Sequence, residues 1–464
     1  MSSPLPTILH LGAEHQVTGS CHLLRANGLN IMVDCGSAQG GDSVLPMKDW
    51  PVPPSEVDYL FLTHAHIDHV GRVPEIVGQG FNGEIITTQP TKALLGPMLM
   101  DSMTFSAMSE ERIRELEKTI DDLSWGFEYQ QKFDLKNGVK FTLYRAGHIL
   151  GSCFIRFEAK DPGWSVIFSG DLGGKNRPIL CDPDVPEPCD VLILESTYGD
   201  KIHDSEKQRT MMLGTVLEGA LNDGGKVFIP AFALGRTQEL IYEMDRLFSD
   251  SQYSRKFPML NSKSAIPVII DSPLGLKVTK IYSELSEYWD REAKNLLYKG
   301  DHPIDFDHLY AVRDYKDHQR LMDMGGPAII IAGSGMCTGG RIVEHLITGL
   351  EDPLNDVFFV GYQAHGTPGR DIMKYGSRSD GYVYLDGKKV FIRAKIHSLS
   401  GYSAHADQKG LVEWVESMPE KPGKIKLVHG EPEAQRALAE VLEKKAYNVQ
   451  GILHSQFYTY SQKG

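Results

Sequence analysis

Three histidines and an aspartate fall within six residues, His64-Ala65-His66-Ile67-Asp68-His69, directly behind the apolar run Tyr59-Leu60-Phe61-Leu62. In extended backbone, residues i and i+2 point the same way, so His64 and His66 can reach one ion together. The turn that follows can bring Asp68 and His69 towards a neighbouring position. Imidazole and carboxylate suit zinc, and two ions about 3.5–4 Å apart can activate a water between them. A solvated polar loop would leave this density of ligand types unexplained. One loop cannot saturate two ions, so further donors are expected at other strand ends. His148 in Ala146-Gly147-His148-Ile149-Leu150-Gly151-Ser152, Asp171 in Phe168-Ser169-Gly170-Asp171 and His429 in Leu427-Val428-His429-Gly430-Glu431 each follow an apolar run and sit beside glycine, which lets backbone approach closely. Alone, each reads as a structural strand-end residue; as partners of the first loop they become ligands.

The cysteines exclude other metal chemistry. Cys21, Cys35, Cys153, Cys181, Cys189 and Cys337 are scattered singly, with neither a CxxC pair nor a disulfide framework. They read as buried free thiols, which leaves metal binding to histidine and carboxylate. A formal net charge of −13 argues against broad, nonspecific affinity for nucleic acid, although ions and a local basic groove can reverse the sign where it matters. No stretch approaches the ~20 apolar residues of a membrane span, and Met1 to His10 lacks the features of a secretion signal. A cytoplasmic location is the expectation.

The first two hundred residues read as β-rich with helical crossovers. Short apolar runs at Thr7 to Leu11, Leu29 to Val33, Tyr59 to Leu62, Glu84 to Thr87, Val166 to Phe168 and Val191 to Leu194 predict strands. Charged residues and helically spaced apolar ones predict a surface helix over Ser109 to Leu123. From about Ser205 helices (Glu206 to Asn222, Gly235 to Ser249) alternate with strands (Lys226 to Pro230, Pro267 to Asp271, Pro327 to Ala332, Asp356 to Tyr362), which implies a parallel α/β unit. Beyond about Gly381 the pattern returns to β, as a hairpin of Tyr382 to Leu385 and Lys389 to Ile392 around Asp386-Gly387.

At this point the chain resembles a known family. Asp34 in Val33-Asp34-Cys35-Gly36, the HxHxDH loop, His148 and Asp171 are similar to the successive motifs of the metallo-β-lactamase fold. Glu195 in Leu194-Glu195-Ser196-Thr197-Tyr198-Gly199, His405 in Gly401-Tyr402-Ser403-Ala404-His405-Ala406-Asp407, and His429 narrow the resemblance to its β-CASP nucleases. Pro230-Ala231-Phe232-Ala233-Leu234-Gly235-Arg236, Asp271-Ser272-Pro273 and Gly333-Ser334-Gly335-Met336 agree with that. The resemblance implies an α/β protein, an αββα sandwich interrupted by an inserted α/β β-CASP domain. Its expected boundaries are 1–206 and 382–464 for the two parts of the sandwich and 207–381 for the insertion. It implies two Zn2+ ions, one held by His64, His66 and His148 and the other by Asp68, His69 and His429. Asp171 would bridge both, and Asp34 would orient a ligand from behind.

The activity implied is hydrolysis of a phosphodiester by a metal-activated hydroxide. His405 would protonate the departing oxygen, and Glu195 would hold its other ring nitrogen. Family members acting on RNA carry histidine at the last motif where the DNA-repair branch carries valine, so His429 favours single-stranded RNA over DNA. Relatives of the eukaryotic pre-mRNA 3′-end cleavage endonuclease are the nearest in kind, and cleavage could be endonucleolytic, 5′-exonucleolytic or both. Arg236, Ser334 and Gly335 are the expected phosphate contacts, with Arg341 nearby, since glycine-rich turns can present amides to an anion. Two other classes remain. A catalytically silent scaffold that binds RNA or protein would normally have lost metal ligands, and this chain keeps every one. A small-molecule esterase or thioesterase of the same metal fold would not depend on His405. A homodimer fits family habit.

Overall fold

The computed structural model describes residues 6–104, 106, 108–203, 206–258, 260, 266–399 and 402–450. Gly401 of the His405 motif and the last fourteen positions of the expected 382–464 segment lie outside them. Among the described residues two mixed sheets face one another. The first has six strands in chain order, Thr7–Gly12, Cys21–Ala26, Leu29–Val33, Tyr59–Phe61, Glu84–Thr88 and Ser124–Phe127. The second runs in the spatial order Val449–Gln450, Lys424–Val428, Val191–Glu195, Gly163–Phe168, Cys153–Lys160, Val139–Arg145 and Lys132–Asp134. Between the sheets lies an apolar core that includes Leu24, Ile31, Phe61, Phe141, Phe157 and Val166. Phe61 meets Phe141 and Phe157 edge-on at centroid distances of 4.9 and 4.8 Å.

Helices cover both outer faces. Val73–Gly78, Gln89–Thr104 and Glu110–Leu123 bury Val73, Ile76, Leu95, Leu99, Ile113, Leu116 and Ile120 against the first sheet. Gln408–Glu416 and Pro432–Lys444 bury Leu411, Trp414, Val415, Leu438 and Leu442 against the second. This is the expected αββα sandwich. The helix over Glu110–Leu123 starts where the sequence predicts because Ser109 accepts a hydrogen bond from the Arg112 amide, an N-cap. Its inward residues recur at helical spacing and its other face is charged.

Between the neighbouring strands Val191–Glu195 and Lys424–Val428, which pair in parallel, the chain builds a second body. Its six strands are all parallel and ordered Leu309–Ala311, Val268–Asp271, Ala328–Ala332, Lys226–Pro230, Asp356–Phe359 and Lys395–Ser398. Such strands are covered on both faces and so read as unbroken apolar runs; Ala328–Ala332 is buried throughout. One face packs on Leu213, Leu217, Leu240 and Met244, the other on Ile342, Leu346 and Ile372.

The segment after the expected boundary at 381 keeps contact with the second body. The hairpin Tyr382–Leu385 and Lys388–Phe391 packs on the second body's core through Val383, Leu385 and Val390. Lys395–Ser398 then pairs with Asp356–Phe359. The two bodies share a buried apolar cluster in which Ala65, Leu94, Ile149 and Leu180 meet Leu234, Ile241, Tyr282 and Trp289. No described helix is long and apolar enough to cross a membrane. All six cysteines are free and five are buried, Cys181 being half-buried.

Candidate metal centre

The histidine loop leaves its strand at Phe61, bends at Thr63, and passes through extended backbone at His66 into the short helix Ile67–Val70. Its backbone is tied down from two sides. The Ser20 amide donates to the Asp68 carbonyl (2.8 Å), Cys35 to His69 (2.8 Å) and Ser37 to Ile67 (3.0 Å). Gly36 makes this stitching possible, since a Cβ there would sit 1.6 Å from the Asp68 carbonyl oxygen. Two site residues, Asp34 and His429, hold left-handed backbone at φ 60 and 52°, a conformation that costs free energy and persists when the surroundings enforce it.

Two groups of donor atoms converge. His64, His66, His148 and Asp171 form one, Asp68, His69 and His429 the other, and within each the donor atoms lie within 4.8 Å of one another. His66 Nδ1 is 3.1 Å from both His64 Nε2 and His148 Nε2. His69 Nε2 is 3.1 Å from His429 Nε2. Asp68 Oδ2 lies 3.9 Å from His69 Nε2 and 3.6 Å from His429 Nε2. Asp171 stands between the groups. Its Oδ2 is 3.6 Å from His64 and from His148; its Oδ1 is 3.3 Å from His69 and 3.5 Å from His429.

Behind the rings, other groups decide which nitrogen faces inward. His69 Nδ1 donates to Asp34 Oδ2 at 2.7 Å. His64 Nδ1 lies 3.1 Å from Thr63 Oγ1, which itself donates to Asp34 Oδ2 at 2.9 Å. Thr197 Oγ1 donates to the His429 carbonyl (3.1 Å) and lies 3.0 Å from His429 Nδ1. His66 Nε2 points at the Leu234 carbonyl of the inserted body, 3.4 Å away. Each arrangement leaves a lone pair for the centre, the tautomer control typical of metal-bound histidine.

Electrostatics agree with a cation. Burial drives His64 and His148 well below the usual histidine range, so both are neutral and able to ligate. At His69 burial also opposes charge, yet Asp171, Asp34 and Asp68 together push its pKa well up. Asp171 Oδ1 is buried with no hydrogen-bond partner among the described residues. An excess of inward carboxylate and convergent imidazole lone pairs fits zinc.

His405 stands at the rim. It follows the return from the inserted body and is fixed by backbone pairing with Gly173. Its Nδ1 lies 3.1 Å from Glu195 Oε1 and 3.8 Å from Asp171 Oδ2. Glu195 is oriented by amides of Leu172 (2.8 Å) and Thr197 (3.1 Å). Burial would lower the His405 pKa, but the Glu195 and Asp171 carboxylates raise it to about 9. Asp407 of the same motif does not face the centre; it caps the helix Gln408–Glu416 by accepting from the Gly410 amide at 2.8 Å.

Among the expected phosphate contacts, Arg236 has protein partners. It is buried, it donates to Glu239, and its guanidinium lies 5.9 Å over the Tyr402 ring. It belongs to a buried network in which Arg209 pairs with Glu243, Tyr402 donates to Glu243, and Arg177 donates to the Ser403 carbonyl. That network ties the inserted body to the His405 segment. Ser334 Oγ accepts from the Thr338 amide at 2.9 Å, and Gly335 packs on Phe232, whose ring lies 6.4 Å from that of His66. Arg341 is taken by Asp271, at 2.5 Å. Asp271 also accepts from His318 (2.5 Å) and His345 (2.7 Å), a buried cluster that these hydrogen bonds explain. Thr63, Thr197 and Ser152, whose Oγ accepts from the His148 amide at 3.0 Å, escape sequence reasoning. No spacing marks them, because their partners are set by the fold.

Comparison with known proteins gives a consistent result. Residues 16–209 match the family model described as the metallo-beta-lactamase superfamily, 237–372 the Beta-Casp domain, and 389–450 the Zn-dependent metallo-hydrolase RNA specificity domain. The chain is 34% identical over 442 residues to Ribonuclease TTHA0252 of Thermus thermophilus, covering 95% of this chain and 97% of that one. It is 30% identical over 458 residues to transcription termination factor FttA of Methanosarcina mazei, covering 94% and 68%. With cleavage and polyadenylation specificity factor 73 of Drosophila melanogaster it shares 30% over 466 residues, 98% of this chain and 64% of the other. A crystal structure of a protein of unknown function from Enterococcus faecalis V583 superposes with a TM-score of 0.55 at 12% identity, covering 97% and 98%. That likeness concerns the fold alone.

Proposed function

The chain belongs to the β-CASP family of metallo-β-lactamase-fold hydrolases, and from that premise we propose that it is a zinc-dependent ribonuclease acting on single-stranded RNA. His64, His66 and His148 would hold one ion and Asp68, His69 and His429 a second, with Asp171 offering one carboxylate oxygen to each. The split of the Asp171 contacts between the two histidine groups supports that assignment. Zinc bound there supplies an acidified water and positive charge for a phosphate. The protein's own part is orientation and proton transfer. Asp34 and Thr197 hold the rings from behind. Glu195 keeps a proton on His405 Nδ1, so the opposite ring nitrogen is free to protonate the departing oxygen.

The observation that carries the reading is the His405–Glu195 pair at 3.1 Å beside the histidine cluster, because binding zinc does not need it and leaving-group protonation does. RNA is favoured by the match of residues 389–450 to an RNA specificity domain. The test compares cleavage of one end-labelled single-stranded RNA, and of its DNA counterpart, by wild type and His405→Ala, with zinc content measured on both. Cleavage of the RNA by wild type is expected. The variant should be slowed about 100-fold or more at unchanged zinc content. Fully zinc-loaded wild type that cuts no RNA would sink the proposal.

A further inference from the structure

The hairpin that the sequence predicts around Asp386-Gly387 is present, and its two faces differ in an unusual way. Both turn residues have positive φ, 47 and 74°, as a tight two-residue hairpin requires. Val383, Leu385 and Val390 point inward. The outward face of such a ribbon is ordinarily polar. Here it carries Tyr382, Tyr384 and Phe391, exposed to 41, 59 and 40%. Lys389 lies among them, with Nζ 4.1 Å from the Tyr382 ring centroid and 5.0 Å from that of Phe391.

The local sequence is basic although the molecule is acidic, and the one carboxylate bonded to the hairpin backbone among the described residues is Glu351, which accepts from the Phe391 amide at 3.2 Å. From Lys374 to Lys395 the chain carries six Lys and Arg against Asp380 and Asp386, in a protein of net charge −13. Lys395 pairs with Asp223. Lys374, Arg378, Lys388, Lys389 and Arg393 have no carboxylate partner among the described residues. None of the hairpin residues belongs to the two groups of donor atoms at the metal centre. The hairpin is a two-stranded sheet of its own, packed on the face of the inserted body that buries Ile342, Leu346 and Ile372.

From these observations we propose that this hairpin is a second contact site for single-stranded RNA, holding the strand beyond the segment at the metal centre. Exposed rings that accept stacked bases, interleaved with unpaired cations for phosphates, are how single strands are bound without sequence preference. A second copy of the chain is disfavoured as occupant, since a two-fold contact would oppose like charges. The proposal rests on the reading of RNA as substrate.

The test uses the zinc-loaded full chain with Tyr384→Ala, Lys389→Glu and Lys389→Arg. Affinity for a labelled single-stranded RNA of about 30 nucleotides is read by anisotropy. Cleavage of it and of an oligonucleotide of about six nucleotides is read on gels. Tyr384→Ala and Lys389→Glu should raise Kd for the long RNA about fivefold or more and lower its kcat/KM in step, with the short substrate unaffected and Lys389→Arg close to wild type. Unchanged Kd in both variants overturns the proposal. So does a change in oligomeric state by light scattering at constant affinity per protomer, which would assign the face to protein. Wild type that binds the long RNA but cuts neither substrate defeats the ribonuclease reading and leaves the hairpin to be judged on Kd.

Discussion

In the proposed mechanism Glu195 acts through a neighbour. Its carboxylate is buried, receives two backbone amides, and faces His405. With Asp171 it raises the His405 pKa to about 9 against the effect of burial. A general acid acts in its protonated form, so activity is present below that pKa and falls as pH rises through it. Glu195→Gln keeps the shape and removes the charge, so His405 loses its proton at lower pH. The alkaline limb of kcat/KM should move towards neutrality in the variant; a limb that stays in place would show that His405 is not the group titrating. The histidines and carboxylates of the site were legible because their types and spacing are themselves chemical. Thr63 and Thr197 were not, for a hydroxyl reveals its role only when the fold sets a ring beside it. Arg236 is the reverse case. An arginine opening a helix after glycine suggests a phosphate site, yet burial beside Glu239 gives it a structural partner.

Elements that carry ligands were easier to read than those that support them. Leu29–Val33, Val191–Glu195 and Lys226–Pro230 follow their apolar runs to within a residue. Cys153–Lys160 escaped because Arg156 and Glu158, which pair with each other, interrupt the apolar pattern. Gln89–Thr104 escaped because Pro97 reads as a helix breaker yet lies within the helix. The segment Asp34 to Ser37 is built for contact with the histidine loop, and Gly36 is where that contact is tightest. Gly36→Ala forces a Cβ onto the Asp68 carbonyl and has no flexible side chain to displace. We expect a loss of about 1–3 kcal/mol in stability, seen as a lower Tm, together with reduced zinc content. A variant with wild-type Tm and full zinc would mean that the loop can move aside.

At the scale of the whole molecule the sequence shows two β-rich stretches flanking an α/β one, which is the architecture observed. The pattern beyond Gly381 does not say which body a hairpin and a short strand join; Lys395–Ser398 pairs with Asp356–Phe359. The strand bearing His429 lies directly against the one bearing Glu195, although Thr197 and His429, which touch, are 232 positions apart in the chain. A ribosome makes protein from the N-terminus onward, so the histidine loop, His148 and Asp171 emerge long before His405 and His429. If the proposed centre needs both, a chain still being translated holds an incomplete one and should be inert beside the message that encodes it. Stalled nascent chains ending before Lys424 should leave a labelled RNA intact, and release of the finished protein should start its cleavage. Cutting by the stalled chains would refute this timing.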